Sequence, residues 1–298
     1  MSDSTASLHR KINCAGDLLS VVRTMKALAA SSIGQYEKSV RALTDYYRTV
    51  ELGLGACFRE SESTTPSIIE RKGQTDAGTI SAIVFGSDQG LVGQFNEAVV
   101  EYAIKTLAVL PGKPQVWAVG ERVHARLTNA GLPPMGLFTV PNSLQAITPL
   151  IGKLQIESEA HRPQGEYARV YVFHNRLQSG ALYEPVSQRL LPLDMQWQQG
   201  LTKVRWPTVN LPEVLCGGTA TLRALIREYL FISLFRACAE SLVSENASRL
   251  AAMERADRNI GELLENLHGA FHRLRQSDID EELFDVISGF EALSVERK

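Results

Sequence analysis

The sequence predicts an α/β protein in which two long helices, one from each end of the chain, pair as an antiparallel coiled coil beside a domain with a mainly parallel sheet. Three observations carry this. A seven-residue apolar repeat fills the N-terminal end, a second fills the C-terminal end, and short apolar runs alternate with helical spacings between them. The implied division is residues 1–58 as the first coiled-coil helix, 59–218 as the α/β domain with flanking loops, and 219–298 as the second helix.

In the N-terminal segment one series runs through Leu8, Ala15, Val22, Ala29, Tyr36, Leu43 and Val50. A second runs beside it through Ile12, Leu19, Ile33, Val40, Tyr47 and Leu54, interrupted by Lys26. A helix of 3.6 residues per turn keeps such a stripe facing a partner only when it under-winds into a left-handed supercoil. The partner stripe lies in the proline-free stretch from Thr221 to Leu293, through Ile232, Ala239, Asn246, Met253, Ile260, Leu267 and Leu274, and through Leu222, Tyr229, Val243, Leu250, Leu264 and Phe271. At 1.5 Å per residue the two helices would reach about 75 Å and about 110 Å. After Leu274 the stripe slips by one residue and resumes as Ile279, Leu283, Val286, Phe290 and Leu293, which marks a change of partner or supercoil.

Pairing residues whose numbers sum to about 283 sets Ile12 against Phe271, Leu19 against Leu264, Ile33 against Leu250 and Val40 against Val243. The same register sets Lys26 against Asp257, two charges of opposite sign that interrupt apolar series. Two readings stay open for them: a pair that pins the register, or two stems that each carry their charge out to water.

Between the helices, polar residues 59–78 read as a loop, and ISAIVF (80–85) as a strand buried on both faces. Helical spacing follows through Phe95, Val99, Tyr102, Ala103 and Leu107. Strand QVWAV (115–119), a helix from Glu121 to Asn129, strand GLFTV (136–140) and a helical segment from Leu144 to Ala160 come next. ARVYVF (168–173) and SQRLLPL (187–193) complete a Rossmann-like alternation, closed by an antiparallel edge. Residues 194–218, with Pro207, Pro212, Gly217 and Gly218, read as the link to the second long helix.

Composition narrows the function. The net charge of −2 gives no general attraction for nucleic acid or anionic lipid, and 44% hydrophobic residues suffice for a core. No apolar run is long enough to cross a bilayer, and MSDSTASLHRK has no signal pattern, so the expected location is cytoplasmic, without direct membrane insertion. Cys14, Cys57, Cys216 and Cys238 form no CxxC pair, which suits reduced thiols, although Cys57 and Cys216 flank the same domain. His268 and His272 have metal-ligand spacing but no evident third ligand, so no metal, cofactor or catalytic residue is assigned. GSDQGLVGQFN (86–96), with Ser87, Asp88, Gly90, Leu91 and Gly93, sits where a phosphate loop would sit. It lacks Gly-Lys-Ser/Thr and GxGxxG, and a turn for close helix-sheet packing is the favoured reading over phosphate binding.

Three segments carry a family resemblance: LHRKINCAGDLLSVVRTMKALAAS (8–31), SDQGLVGQFN (87–96), and 247–293 with its Ser-Arg-x-x-Ala-Met, Arg-Gln and Glu-Leu-x-x-x-Ile-Ser-Gly pattern. In this order they resemble the gamma subunit of F-type ATP synthases. The resemblance implies a rotor shaft, non-catalytic itself, turning inside the alpha-beta hexamer. Its α/β domain would stand on the ring of membrane c subunits, with the epsilon subunit as a further partner, at the inner face of the cell membrane. It also implies contacts with the catalytic subunits at Met25 and Lys26, at Arg249, Arg275 and Gln276, and at Glu282. The chain departs from the family in ALAASSIGQYEKS, which replaces a basic run after Met25, and in Val92, which replaces a commonly found Cys. These departures point to a divergent bacterial branch, with an alternate synthase among the expectations. An α/β enzyme with a dimerisation coil, or a coiled-coil scaffold, are the competing classes.

Overall fold

A computed structural model describes residues 4–60, 78–161, 169–179, 182–210, 212–213 and 218–295. The polar loop read at 59–78 and Cys216 fall almost entirely outside these residues, as do the side chains of Phe290 and Leu293. The elements are α1 (Thr5–Glu60), β1 (Thr79–Phe85), α2 (Phe95–Val109), β2 (Lys113–Val119), α3 (Glu121–Asn129), β3 (Gly136–Phe138), α4 (Ile147–Ala160), β4 (Arg169–Ser179), β5 (Leu182–Leu191), α5 (Met195–Lys203) and α6 (Gly218–Val295). The chain divides into two compact units, Met1–Leu28 with Leu250–Lys298, and Ala29–Arg249.

The larger unit is built on a five-stranded sheet of order β3-β2-β1-β4-β5. β3, β2, β1 and β4 are parallel, and β5 returns antiparallel to β4. Alternation along β1 explains its two covered faces. Ile80, Ala82 and Val84 join Val99, Ala103 and Leu107 of α2 and Val123 and Leu127 of α3. Ile83 and Phe85 join Trp117, the α4 residues Ile147, Ile151 and Leu154, and the long-helix residues Tyr36, Leu234 and Leu242. Each fully buried aliphatic side chain of this kind contributes roughly 1.5–3 kcal/mol. A further cluster joins Val50 and Leu54 of α1 to Leu222, Ile226 and Tyr229 of α6 and to Leu201 of α5.

The strand and helix order agrees with the sequence prediction, with two differences. β4 and β5 form a longer hairpin than 168–173 and 187–193, because the polar residues His174, Asn175 and Arg176 continue the strand. Residues 195–203 of the expected link form α5, whose Trp197 and Leu201 lie four apart and pack toward the same cluster. Asp194 caps this helix, its carboxylate accepting the Gln196 N–H at 3.0 Å.

The smaller unit is a helix pair. His9 meets Phe271 with ring centroids 6.2 Å apart, and Arg23 meets Asp257, so the two helices run antiparallel. Among its described residues only Leu8, Ala15 and Met253 are buried, all three on the apolar heptad series.

Candidate functional sites

In the larger unit, the turn after β1 is closed by its own side chains. The Ser87 N–H donates to Asn96 Oδ1 at 3.0 Å, and Asn96 Nδ2 donates to Ser87 Oγ at 2.9 Å. Asp88 accepts the Glu121 N–H through Oδ1 at 3.0 Å and the Val140 N–H through Oδ2 at 2.9 Å. The first turn of α3 therefore already carries a carboxylate, where a phosphate cradle would present free N–H groups. Gly86 is fixed by packing, since a Cβ there would lie 2.5 Å from Val123 Cβ and 2.8 Å from Asn96 Oδ1. Gly93 and Leu91 both adopt left-handed conformations, at φ 58 and 63. For Leu91 this costs roughly 1–2 kcal/mol, and its side chain is exposed.

In the smaller unit, Lys26 Nζ stands 3.5 Å from Asp257 Oδ2. A second cation that sequence reading passed over is closer: Arg23 Nε lies 3.2 Å from Asp257 Oδ1. The hydrogen bond from Arg23, and then that from Lys26, hold the Asp257 carboxyl below its ordinary range against a partial desolvation. Met25 is half-buried, whereas Arg275, Gln276 and Glu282 are exposed. Beyond them Ile279, Leu283, Phe284, Val286 and Ile287 are also exposed, so the stripe that resumes after Leu274 has no cover among the described residues.

Arg249, at the end of the larger unit, is placed differently from the other expected contact residues. Its side chain is only 12% exposed, and its guanidinium donates to Glu245 Oε1 at 2.6 Å. Burial pushes the Glu245 carboxyl up, and the Arg249 charge opposes that shift.

Sequence reading missed a second polar group, formed where α6 crosses β4. Glu240 Oε2 accepts His174 Nε2 and Arg176 Nε, both at 2.8 Å, and Oε1 accepts Arg236 Nε at 2.7 Å. Burial alone would raise the Glu240 carboxyl, and the bonds from His174, Arg176 and Arg236 outweigh it, bringing it to about 2. His174 is pushed down by burial, although Glu240 pulls the other way. Its Nδ1 has no protein partner among the described residues, which fits a neutral ring donating through Nε2. A glutamate in a long helix 64 residues or more from its strand partners carries no local sequence signal. The only hint was a polar HNR run continuing a predicted strand.

Among the described residues, no group of three or more His, Cys, Asp or Glu is placed to hold a metal ion, and no helix is long and apolar enough to cross a membrane. Cys57 and Cys238 are buried, Cys14 is exposed, and His268 and His272 are exposed on α6.

A mainly parallel sheet with a turn closed on itself, preceded and followed in the chain by a long helix, defines an α/β protein with two long terminal helices. The family model described as ATP synthase matches residues 4–293, and the chain belongs to this family as a gamma subunit, a non-catalytic component. Its relatives include the ATP synthase gamma chains of Dechloromonas aromatica (strain RCB), 24% identical over 97% of this chain and 99% of that one, and of Nitrosomonas eutropha, 23% identical over the same shares. Among solved structures, a chain of the Euglena gracilis mitochondrial ATP synthase, OSCP/F1/c-ring, in rotational state 3 is 18% identical. It has a TM-score of 0.64, with 99% of this chain and 96% of that one covered. A chain of the Tetrahymena thermophila mitochondrial central stalk and c-ring has a TM-score of 0.55 at 18% identity, covering 79% of this chain and 99% of that one.

Proposed function

We propose that this gamma subunit is the rotor shaft that couples ion-driven rotation of a ring of membrane c subunits to conformational cycling of catalytic beta subunits, in synthesis or in reverse, ATP-driven ion pumping. The observation that carries the reading is the pair of unbroken helices, 56 and 78 residues long, that precede and follow the sheet in a chain that matches the family along nearly its whole length. A shaft needs stiffness along its axis, which paired helices supply. The exposed apolar segment from Ile279 to Ile287 supports a sleeve of head subunits around it.

In this reading the chain sits at the inner face of the cell membrane through its partners: alpha and beta subunits, the c ring and the epsilon subunit. Met25, Lys26, Arg275, Gln276 and Glu282 face the catalytic subunits, and Lys26 with Asp257 sets the helix register. Arg249 reaches that interface only after leaving Glu245, which makes it the most environment-dependent of the set. Purification of the complex tests the reading: the chain should come down with about one copy per alpha-beta hexamer. Replacing Arg249, Arg275 and Gln276 together by Ala should lower coupled ATP synthesis while assembly survives. Failure to co-purify would reject the shaft, and unchanged synthesis would reject the contact assignment.

A further inference from the structure

Along α6, the positions 240, 244 and 248 lie at four-residue steps and so share one side of the helix. Each makes a hydrogen bond out of the helix to the sheet or its turn. Glu240 takes His174 and Arg176 of β4. The Ser244 hydroxyl reaches the Asn175 carbonyl oxygen at 3.0 Å, sharing its hydrogen with the Glu240 carbonyl oxygen at 2.9 Å. The Ser248 hydroxyl donates to the Val92 carbonyl oxygen at 2.6 Å. Asn175 Nδ2 in turn donates to the Phe95 carbonyl oxygen at 2.8 Å, joining β4 to the start of α2. Glu240, Ser244 and Ser248 are all buried.

Stability alone does not explain a polar side on a helix packed against a sheet. Buried ion pairs are often no more stabilising than well-packed apolar residues of the same volume. What directional bonds add is a single setting. An axial slip of one residue, about 1.5 Å, or a rotation of the helix by one position, about 100°, would break every rung, whereas apolar surfaces re-pack under such movements. Neighbouring apolar contacts, among them Leu242 and Val243 against Tyr36 in the same cluster, provide cohesion without that constraint.

We propose that Glu240, with its partners His174 and Arg176 and the Ser244 and Ser248 rungs, is the positioning device that keys α6 to the sheet. Torque on the α/β unit then reaches α6 without the helix turning about its own axis or sliding along the sheet. This rests on the rotor reading. The ionised glutamate is the centre of the key: two cations and one neutral imidazole converge on it, and each approaches from a fixed direction.

The test uses the complete complex in inverted membrane vesicles, with ATP hydrolysis and ions pumped per ATP measured side by side. The variants are Glu240→Gln, Glu240→Asp and the double change Ser244→Ala with Ser248→Ala. Ile151→Val, a core change under the same sheet, is the control for lost stability. The expected result is near-normal hydrolysis with pumping per ATP reduced about fivefold in Glu240→Gln and less in the serine pair. Recovery is expected in Glu240→Asp, and no change in Ile151→Val. An unchanged pumping ratio in both Glu240→Gln and the serine pair overturns the key, as does an equal loss in the control. If Glu240→Gln does not assemble, the serine pair decides. A wild-type chain that fails to join the hexamer overturns the rotor reading instead, so the two failures are distinguishable.

Discussion

The same two helices are held to their surroundings in opposite ways in the two units. Among the described residues of the smaller unit only Leu8, Ala15 and Met253 are buried, and the polar anchor is Asp257 with two cations, open to water. In the larger unit both helices contribute to apolar clusters, and the polar anchor of α6, Glu240, is buried with three donors. A charge in water gains little from a partner, and salt screens the gain. A charge removed from water must have its partner, and losing it is expensive. The contrast therefore predicts where this chain tolerates change.

The largest effect belongs to Glu240→Ala. It leaves His174 without its acceptor in a buried site, while the partly exposed Arg176 and Arg236 regain some water, and should cost about 2–3 kcal/mol in chemical denaturation. The pH dependence follows from the direction of the shift. Folded Glu240 titrates near 2 against 4.5 when free, so its contribution is complete above pH 4.5 and is lost as pH falls toward 2. His174, lowered by burial, adds a loss in the same direction below its ordinary 6.5. Stability of the variant should thus fall less steeply than wild type between pH 4.5 and 2. An equal slope would mean that Glu240 is not held ionised by these partners.

Glycines sharpen the comparison. Gly86→Ala in the larger unit must displace Val123 or Asn96 and should cost about 1–3 kcal/mol. Gly261→Ala in the smaller unit meets nothing within 4 Å, and helix propensity alone should make it stabilising by up to about 1 kcal/mol. Opposite signs in thermal unfolding support the picture of one packed unit and one open pair. Two destabilisations of similar size would contradict it.

What the sequence revealed follows the same division. Heptads reported the helix pair because supercoil geometry is local, and five of the seven residues in the Leu8 series are buried: Leu8, Ala15, Ala29, Tyr36 and Val50. Apolar runs such as ISAIVF reported the parallel strands because both sheet faces are covered. The polar half of β4 was invisible, since His174 and Arg176 resemble turn residues until Glu240 arrives from α6. Helix α5 was hidden by glutamines and Gly200, because its two anchors, Trp197 and Leu201, pack only against distant residues. Lys26 and Asp257 could be matched by register arithmetic, but Arg23 could not, because it lies off both apolar series.

The smallest effect should come from Asp257→Asn. Arg23 is two-thirds exposed, and Lys26 more than one-third, so both regain water when the carboxylate goes. What remains is a screened attraction, which should move the thermal midpoint slightly at low salt and not measurably at high salt. Register is a separate matter from stability: a weak contact that neighbouring apolar residues share can still favour one alignment over its one-heptad alternatives. Cysteines at Lys26→Cys and Asp257→Cys, oxidised mildly, read alignment directly. If the ion pair merely accompanies a register set by apolar residues, the cross-link should form at the same rate when Arg23 is also replaced by Ala. A slower cross-link in that background would show that the remaining cation contributes to alignment through contacts beyond Asp257. A salt-resistant stability loss in Asp257→Asn as large as that of Glu240→Ala would remove the distinction between the two units.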